Sequence, residues 1–196
     1  KTELFTIKAG DLKADLSSEI RIESNFRSDI EINGETQKLL KILPRFNYIK
    51  SFSNIRADIN NSLILNFDKT YKLKNFDYKN NGKIKETNFD LKGLNFDYFS
   101  ENNLKKISIF ESDIKTNLNP KKNILNLSGK YSFNEGSKLS FDMSQSFNKE
   151  LFNLKLSADY DELFEFKTLN YIKKKGDVAK INFDLVKNKN SIKFNQ

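Results

Sequence analysis

The chain of 196 residues has no cysteine, no histidine and no tryptophan, one methionine, two prolines and seven glycines. Without cysteine there is no disulfide and no thiol chemistry. With histidine also missing, zinc sites of the usual type are excluded. Serine and threonine are scattered with no histidine to act as base. No Ser-x-x-Lys falls in a strand–turn–helix context, so nucleophilic catalysis has no carrier. So few glycines leave little room for a phosphate-cradling loop. No run approaches the ~20 apolar residues that a membrane-spanning helix needs. Hydrophobic residues make up only 37% of the chain. A two-layer globule wants more, whereas a single sheet with one greasy face needs less.

What is present is basic. The formal net charge is +8. Arginine is confined to Arg21, Arg27, Arg45 and Arg56, so nearly all of the positive charge is lysine. The Lys- and Asn-rich, Ala-poor composition is what an AT-rich genome produces. The functional reading of the charge is attraction to phosphate, on nucleic acid or on lipid head groups. Base readout favours arginine, and the aromatics alternate onto the apolar side, so no nucleic-acid partner is expected.

The chain is organised around Asn123–Val186, which reads as antiparallel strands joined by tight turns. Leu125, Leu127, Tyr131 and Phe133 fall on one side of the first strand, with Gly129 in their row. Asn134-Glu135-Gly136-Ser137 turns the chain. Leu139, Phe141, Met143 and Phe147 repeat the alternation, and Phe152, Leu154, Leu156, Ala158 and Tyr160 follow. A side-chain period of two gives a strand with one apolar and one wet face. Turns are expected at Asn60-Asn61, at Asn80-Asn81-Gly82, at Asn119–Lys122, at Lys173–Asp177 and at Lys187–Asn190. Beyond the turn at Asp161-Glu162, Phe164 and Phe166 are read facing one way and Tyr171 the other. A shift of parity near Phe110 indicates a bulge. Thr36–Leu43 has helical spacing before Pro44, giving one short helix near 36–43.

One short motif recurs at uneven spacing. It appears as Asn75-Phe76-Asp77-Tyr78, Asn88-Phe89-Asp90-Leu91, Asn95-Phe96-Asp97-Tyr98 and Asn182-Phe183-Asp184-Leu185. Ser140-Phe141-Asp142-Met143 is a near copy. Each puts an aromatic and a second apolar residue on one face. The carboxylates Asp77, Asp90, Asp97, Asp142 and Asp184 take the wet face, with no pocket to tune them for acid–base work. About a dozen strands with short links predict an all-β, antiparallel architecture in one domain, 1–196. A sheet about 55 Å wide with one greasy face must curl, close or bury that face.

The run Asn123–Gly136, followed by Leu151–Tyr160, resembles the periplasmic repeats of AsmA-like proteins of the YhdP/TamB type. The resemblance covers most of the chain as strand texture, with no catalytic or ligand motif to match. It implies an elongated curled sheet, wet outside and apolar inside, forming a segment of a longer bridge protein. That protein would lie in the periplasm of Gram-negative bacteria, held in the inner membrane by an anchor outside this segment. It implies carriage of phospholipid between the inner and outer membranes in support of envelope integrity, with no cofactor, no metal and no enzymatic activity. The residues expected to line the groove and meet acyl chains are Leu125, Leu127, Tyr131, Phe133, Leu139, Phe141, Met143, Phe152, Leu154, Leu156, Phe183 and Leu185. The competing expectation is a structural or adhesive β-sandwich with a dry core and no ligand.

Overall fold

The computed structural model describes residues 5–8, 11–15, 20–33, 52–91, 105–166 and 170–195. These residues form strands and turns, with no helix among them. The expected helix at Thr36–Leu43 lies outside the described residues, as does the Asn95–Tyr98 copy of the motif. The strands are β1 (Phe5–Lys8), β2 (Leu12–Asp15), β3 (Ile20–Ile32), β4 (Phe52–Phe67), β5 (Leu73–Asp90), β6 (Lys106–Leu118) and β7 (Asn123–Phe133). Then come β8 (Leu139–Phe147), β9 (Leu151–Tyr160), β10 (Phe164–Phe166), β11 (Tyr171–Lys173), β12 (Ala179–Asn188) and β13 (Ile192–Asn195).

Eleven of these strands form one antiparallel sheet in the order β1, β3, β4, β5, β6, β7, β8, β9, β12, β13, with β2 also paired to β3. The remaining pair, β10 and β11, makes a separate hairpin. Among the described residues no pairing joins the two edges, and the sheet is open rather than closed into a barrel. From β3 onward the sheet is a meander with the β10–β11 hairpin inserted between β9 and β12. Where the link is only a few residues, as at β4–β5, β6–β7, β7–β8, β8–β9 and β12–β13, only antiparallel neighbours are possible. The extensive contacts between elements are those between hydrogen-bonded neighbours. Among the described residues, therefore, no second layer is packed on either face.

Several expected turns are present. Asn134 and Glu135 both have positive φ, at 46° and 66°, and the Gly136 amide donates to the Phe133 carbonyl at 2.7 Å. That is the chemistry a tight hairpin asks of an Asn-led turn. Strands β7, β8 and β9 begin and end where the alternation places them.

Two expected turns are overturned. Asn60-Asn61 lies in the middle of β4, and Asn80-Asn81-Gly82 in the middle of β5, a strand of 18 residues. None of these residues has positive φ. Gly82 is required for a different reason. A Cβ there would lie 2.2 Å from the Asp58 carbonyl oxygen and 2.7 Å from the Ile59 Cα. Only a residue without a side chain allows β4 to approach so closely. The hairpin β10–β11 corrects a smaller point. Its register pairs Phe166 with Tyr171, so Tyr171 shares a side with Phe164, and their rings are 6.5 Å apart.

The bulge near Phe110 is present. The β6–β7 register steps from Phe110 opposite Lys130 to Asp113 opposite Ser128, and Glu111 has φ +44°. Strand β5 carries a matching extra residue, Lys85, between Ile84 (opposite Ala57) and Glu86 (opposite Arg56). Because β5 and β6 are both one residue longer here, they stay in step with each other. Gly129 faces this bulge. A Cβ at Gly129 would stand 2.1 Å from Ser112 Oγ and 2.5 Å from its Cα, and Ser112 is fully buried.

Gly129→Ala should therefore destabilise the fold by about 1–3 kcal/mol, the usual cost of forcing atoms into a packed site. Gly136→Ala is the control, since its φ is not positive and a Cβ there would come no closer than 3.1 Å to any atom, the Phe133 carbonyl oxygen. Thermal unfolding followed by circular dichroism measures both, and equal losses would remove the packing explanation.

Candidate functional site

Register assigns each side chain to a face, because directly opposed residues point the same way. Leu127 is opposite Met143, Met143 opposite Leu156 and Leu156 opposite Phe183, giving one apolar row across four strands. The next row runs Leu125, Gln145, Leu154, Leu185 and Phe194. Phe133, Tyr131 and Leu139 extend the same face toward one end, and Phe141 and Phe152 complete it. All twelve residues expected on one apolar surface share this face. In the described copies of the recurring motif, Phe76, Phe89, Phe141 and Phe183 lie on it as well.

The twelve do not share one environment. Tyr131 and Leu139 are buried and form a cluster with Ile109, against which Leu127, Phe133 and Phe141 pack. The Tyr131 ring meets Phe133 at 5.3 Å and Phe141 at 5.9 Å between centroids, both edge to face. Each such pair contributes about 0.5–1.5 kcal/mol beyond its area. The Tyr131 hydroxyl donates to the Asp159 carbonyl. Tyr160 stacks edge-on against Phe133 at 5.9 Å and donates to the Leu163 carbonyl at 3.2 Å. The Lys173 ammonium sits 5.2 Å above the Tyr160 ring and donates to the Glu162 carbonyl at 2.8 Å, so the β10–β11 hairpin closes this end. These residues are a small packed core. Leu125, Met143, Phe152, Leu154, Leu156, Phe183 and Leu185 lie away from it and are only half-buried.

Toward β3–β6 the same face is crossed by a polar belt that the sequence reading missed. Asn61 is buried, and its Nδ2 donates to Ser28 Oγ at 2.6 Å and to the Ile59 carbonyl at 3.1 Å. The Tyr78 hydroxyl donates to Asn61 Oδ1 at 2.7 Å, and Asn80 Nδ2 donates to the Tyr78 hydroxyl at 3.2 Å. Thr116 stands opposite Asn80. Reading Asn61 and Asn80 as turn residues hid the belt. Their in-phase spacing with Ile59, Leu63 and Tyr78 was the available signal.

The opposite face is polar, and the larger described cavities open there. Two adjoining depressions of about 700 and 710 Å³ share Arg27, Asn60, Asn81 and Lys115. Arginines on the polar face are already engaged. Arg27 makes a two-pronged pair with Asp58, which holds its guanidinium more strongly protonated. Arg56 Nη2 donates to Glu86 Oε2 at 2.5 Å, and this bond is the first cause that lowers the Glu86 pKa. The described carboxylates of the recurring motif lie on the polar face: Asp90 is opposite Lys106, Asp142 stands between Ser128 and Ser157, and Asp184 between Lys155 and Asn195, whereas Asp77 is opposite Ile64. Asp184 sits 3.6 Å from Lys155.

Burial, ahead of the nearby Asp161, Tyr160 and Asp159, pushes the Tyr131 hydroxyl up to about 12. An unfolded tyrosine titrates near pH 10. A folded-state pKa above the unfolded value means that the stabilisation is complete below pH ~10 and is lost as pH rises toward about 12. Alkaline unfolding should begin in that window, with Tyr160 raised in the same direction by burial first. Tyr131→Phe should flatten the loss in circular dichroism titrations and cost about 1 kcal/mol at neutral pH for its hydrogen bond. An unchanged alkaline transition in that variant would place the titrating group elsewhere.

Comparison of the chain with protein-family models, with curated proteins and with solved structures finds no match.

Proposed function

We propose that the chain is a segment of an AsmA-like bridge protein that carries phospholipid across the periplasm between the inner and outer membranes. The observation that carries this reading is the apolar face of an open sheet with no second layer packed on it among the described residues. An acyl chain laid on such a face is shielded from water at about 0.8 kcal/mol per CH₂. The half of the face from β7 to β13 suits this best. There Leu125, Met143, Leu154, Leu156, Phe183 and Leu185 form adjoining apolar rows, interrupted only by Gln145. The polar belt through Asn61 and Asn80 bounds the surface on the β3–β6 side. The packed cluster around Tyr131 bounds it at one end. Movement along such a surface needs no catalytic group, so the role proposed is a non-enzymatic one.

A structural or adhesive β-domain is the second reading. The observation in its favour is that the large depressions lie on the polar face.

Native mass spectrometry with lipid extraction separates the two. The protein purified from membrane extract should carry phospholipid. Phe183→Glu should remain folded, because Phe183 lies outside the packed cluster, and should lose most of that lipid. Phe141→Glu should instead unfold the chain, since Phe141 packs on buried Tyr131 and Leu139. A folded wild type that is lipid-free and ignores added phospholipid would sink the transport reading.

A further inference from the structure

Successive antiparallel hairpins turn at alternate ends of a sheet. The tight turns β4–β5, β6–β7, β8–β9 and β12–β13 therefore all emerge at one end. They are built alike. Asp68 Oδ1 accepts from the Thr70 amide at 2.7 Å and the Lys72 amide at 3.0 Å. Asn119 Oδ1 accepts from the amides of Lys121 and Lys122 at 3.0 and 2.9 Å. Asn148 does the same for Glu150 and Leu151, and Asn188 for Asn190 and Ser191. In each case the leading side chain is folded back on its own turn, which leaves the following side chains to face solvent.

Those side chains are mostly lysine. Lys69, Lys72, Lys121, Lys122, Lys149 and Lys189 are all exposed, and none of them forms an ion pair with a described residue. The acids in the same turns are Glu150 and Asp68, and Asp68 is held to its own turn, with the Thr70 hydrogen bond the first cause that lowers its pKa. The opposite end is different. There the described loops and the β10–β11 hairpin mix Lys138, Lys173, Lys174 and Lys175 with Glu135, Asp161, Glu162, Glu165 and Asp177. Two of those acids are paired, Glu135 with Lys106 and Glu162 with Lys175. The charge asymmetry between the two ends is local, so overall composition does not explain it.

The lysine-bearing end also exposes apolar side chains. Tyr71 is 78% exposed, Ile192 55% and Leu73 52%. Neighbouring tips are two strands apart, so the row repeats at about 10 Å. We propose that this rim docks on the surface of an anionic lipid bilayer. The lysines meet the negative head groups. Tyr71 takes the interfacial position that suits a ring with a polar tip, and Leu73 and Ile192 enter the acyl boundary. A nucleic acid would satisfy the cations but would leave Leu73 and Ile192 in water. This docking is independent of acyl-chain carriage, since a rim can bind a membrane whether or not the sheet face holds lipid.

The test is co-sedimentation of the full chain with vesicles of phosphatidylcholine alone and of phosphatidylcholine mixed with phosphatidylglycerol. Binding is expected to the mixed vesicles and to weaken with salt. The quadruple variant Lys69→Glu, Lys72→Glu, Lys121→Glu, Lys122→Glu should melt like the wild type and bind at least about tenfold more weakly. Tyr71→Ser with Ile192→Ser should also weaken binding, while Lys138→Glu with Lys174→Glu, at the far end, should not. The rim variants should keep any phospholipid that co-purifies, which separates this result from failure of the carriage reading. Equal binding to neutral vesicles, an unaffected quadruple variant, or binding to a DNA duplex but not to vesicles would each overturn the proposal.

Discussion

The structure depends on an antiparallel ladder that runs across eleven strands and shifts its register only at a few bulges. Side chains alternate with a period of two, so a slip of one residue anywhere would send an entire apolar row to the wet face. The double bulge at Lys85 and Glu111 shows how that constraint is met. Each extra residue reverses the parity of its own strand. Because the two lie side by side in β5 and β6, the apolar rows continue on either side of them. Gly129 and Gly82 belong to the same device. Each removes a side chain where a neighbouring strand crowds the backbone.

From that register follows an unusual distribution of material. The apolar face is interrupted by the polar belt and thinly packed, and among the described residues its buried cluster is the one where Ile109, Tyr131 and Leu139 meet. Elsewhere cohesion comes from the ladder itself and from cross-strand pairs, each contributing about 0.2–1 kcal/mol. Ser144 with Asn126 and Ser157 with Asn182 are such pairs on the polar side. A sheet of this kind keeps one large apolar surface available, which an ordinary sandwich would spend on its second layer. The polar belt through Ser28, Asn61, Tyr78 and Asn80 limits that surface to the β7–β13 half.

The two proposals use different parts of the same architecture. Acyl chains would meet strand interiors, where apolar side chains repeat in register. A membrane would meet the turns, where side-chain-to-backbone hydrogen bonds leave lysines outside. Neither needs a reactive constellation, which fits a chain without histidine or cysteine.

The alternation of Leu, Ile and Phe with Ser, Asn and Asp was enough by itself to specify an all-β chain, the limits of β7, β8 and β9, the turn at Asn134-Glu135 and the bulge near Phe110. It also specified which face each of the twelve apolar residues takes, because a period of two is a local property of the backbone. Tertiary structure decided what the local signals left open. Asn-Gly at 81–82 reads as a turn from sequence, yet Gly82 serves close approach to Asp58 and Ile59, and only the neighbouring strand distinguishes the two uses. Asn61 became a buried belt residue for the same reason, since its partners Ser28 and Tyr78 are brought to it by β3 and β5. Whether Tyr131 packs while Leu154 stays half-open depends on distance from the cluster at the closed end, a relation between strands that no stretch of one strand contains.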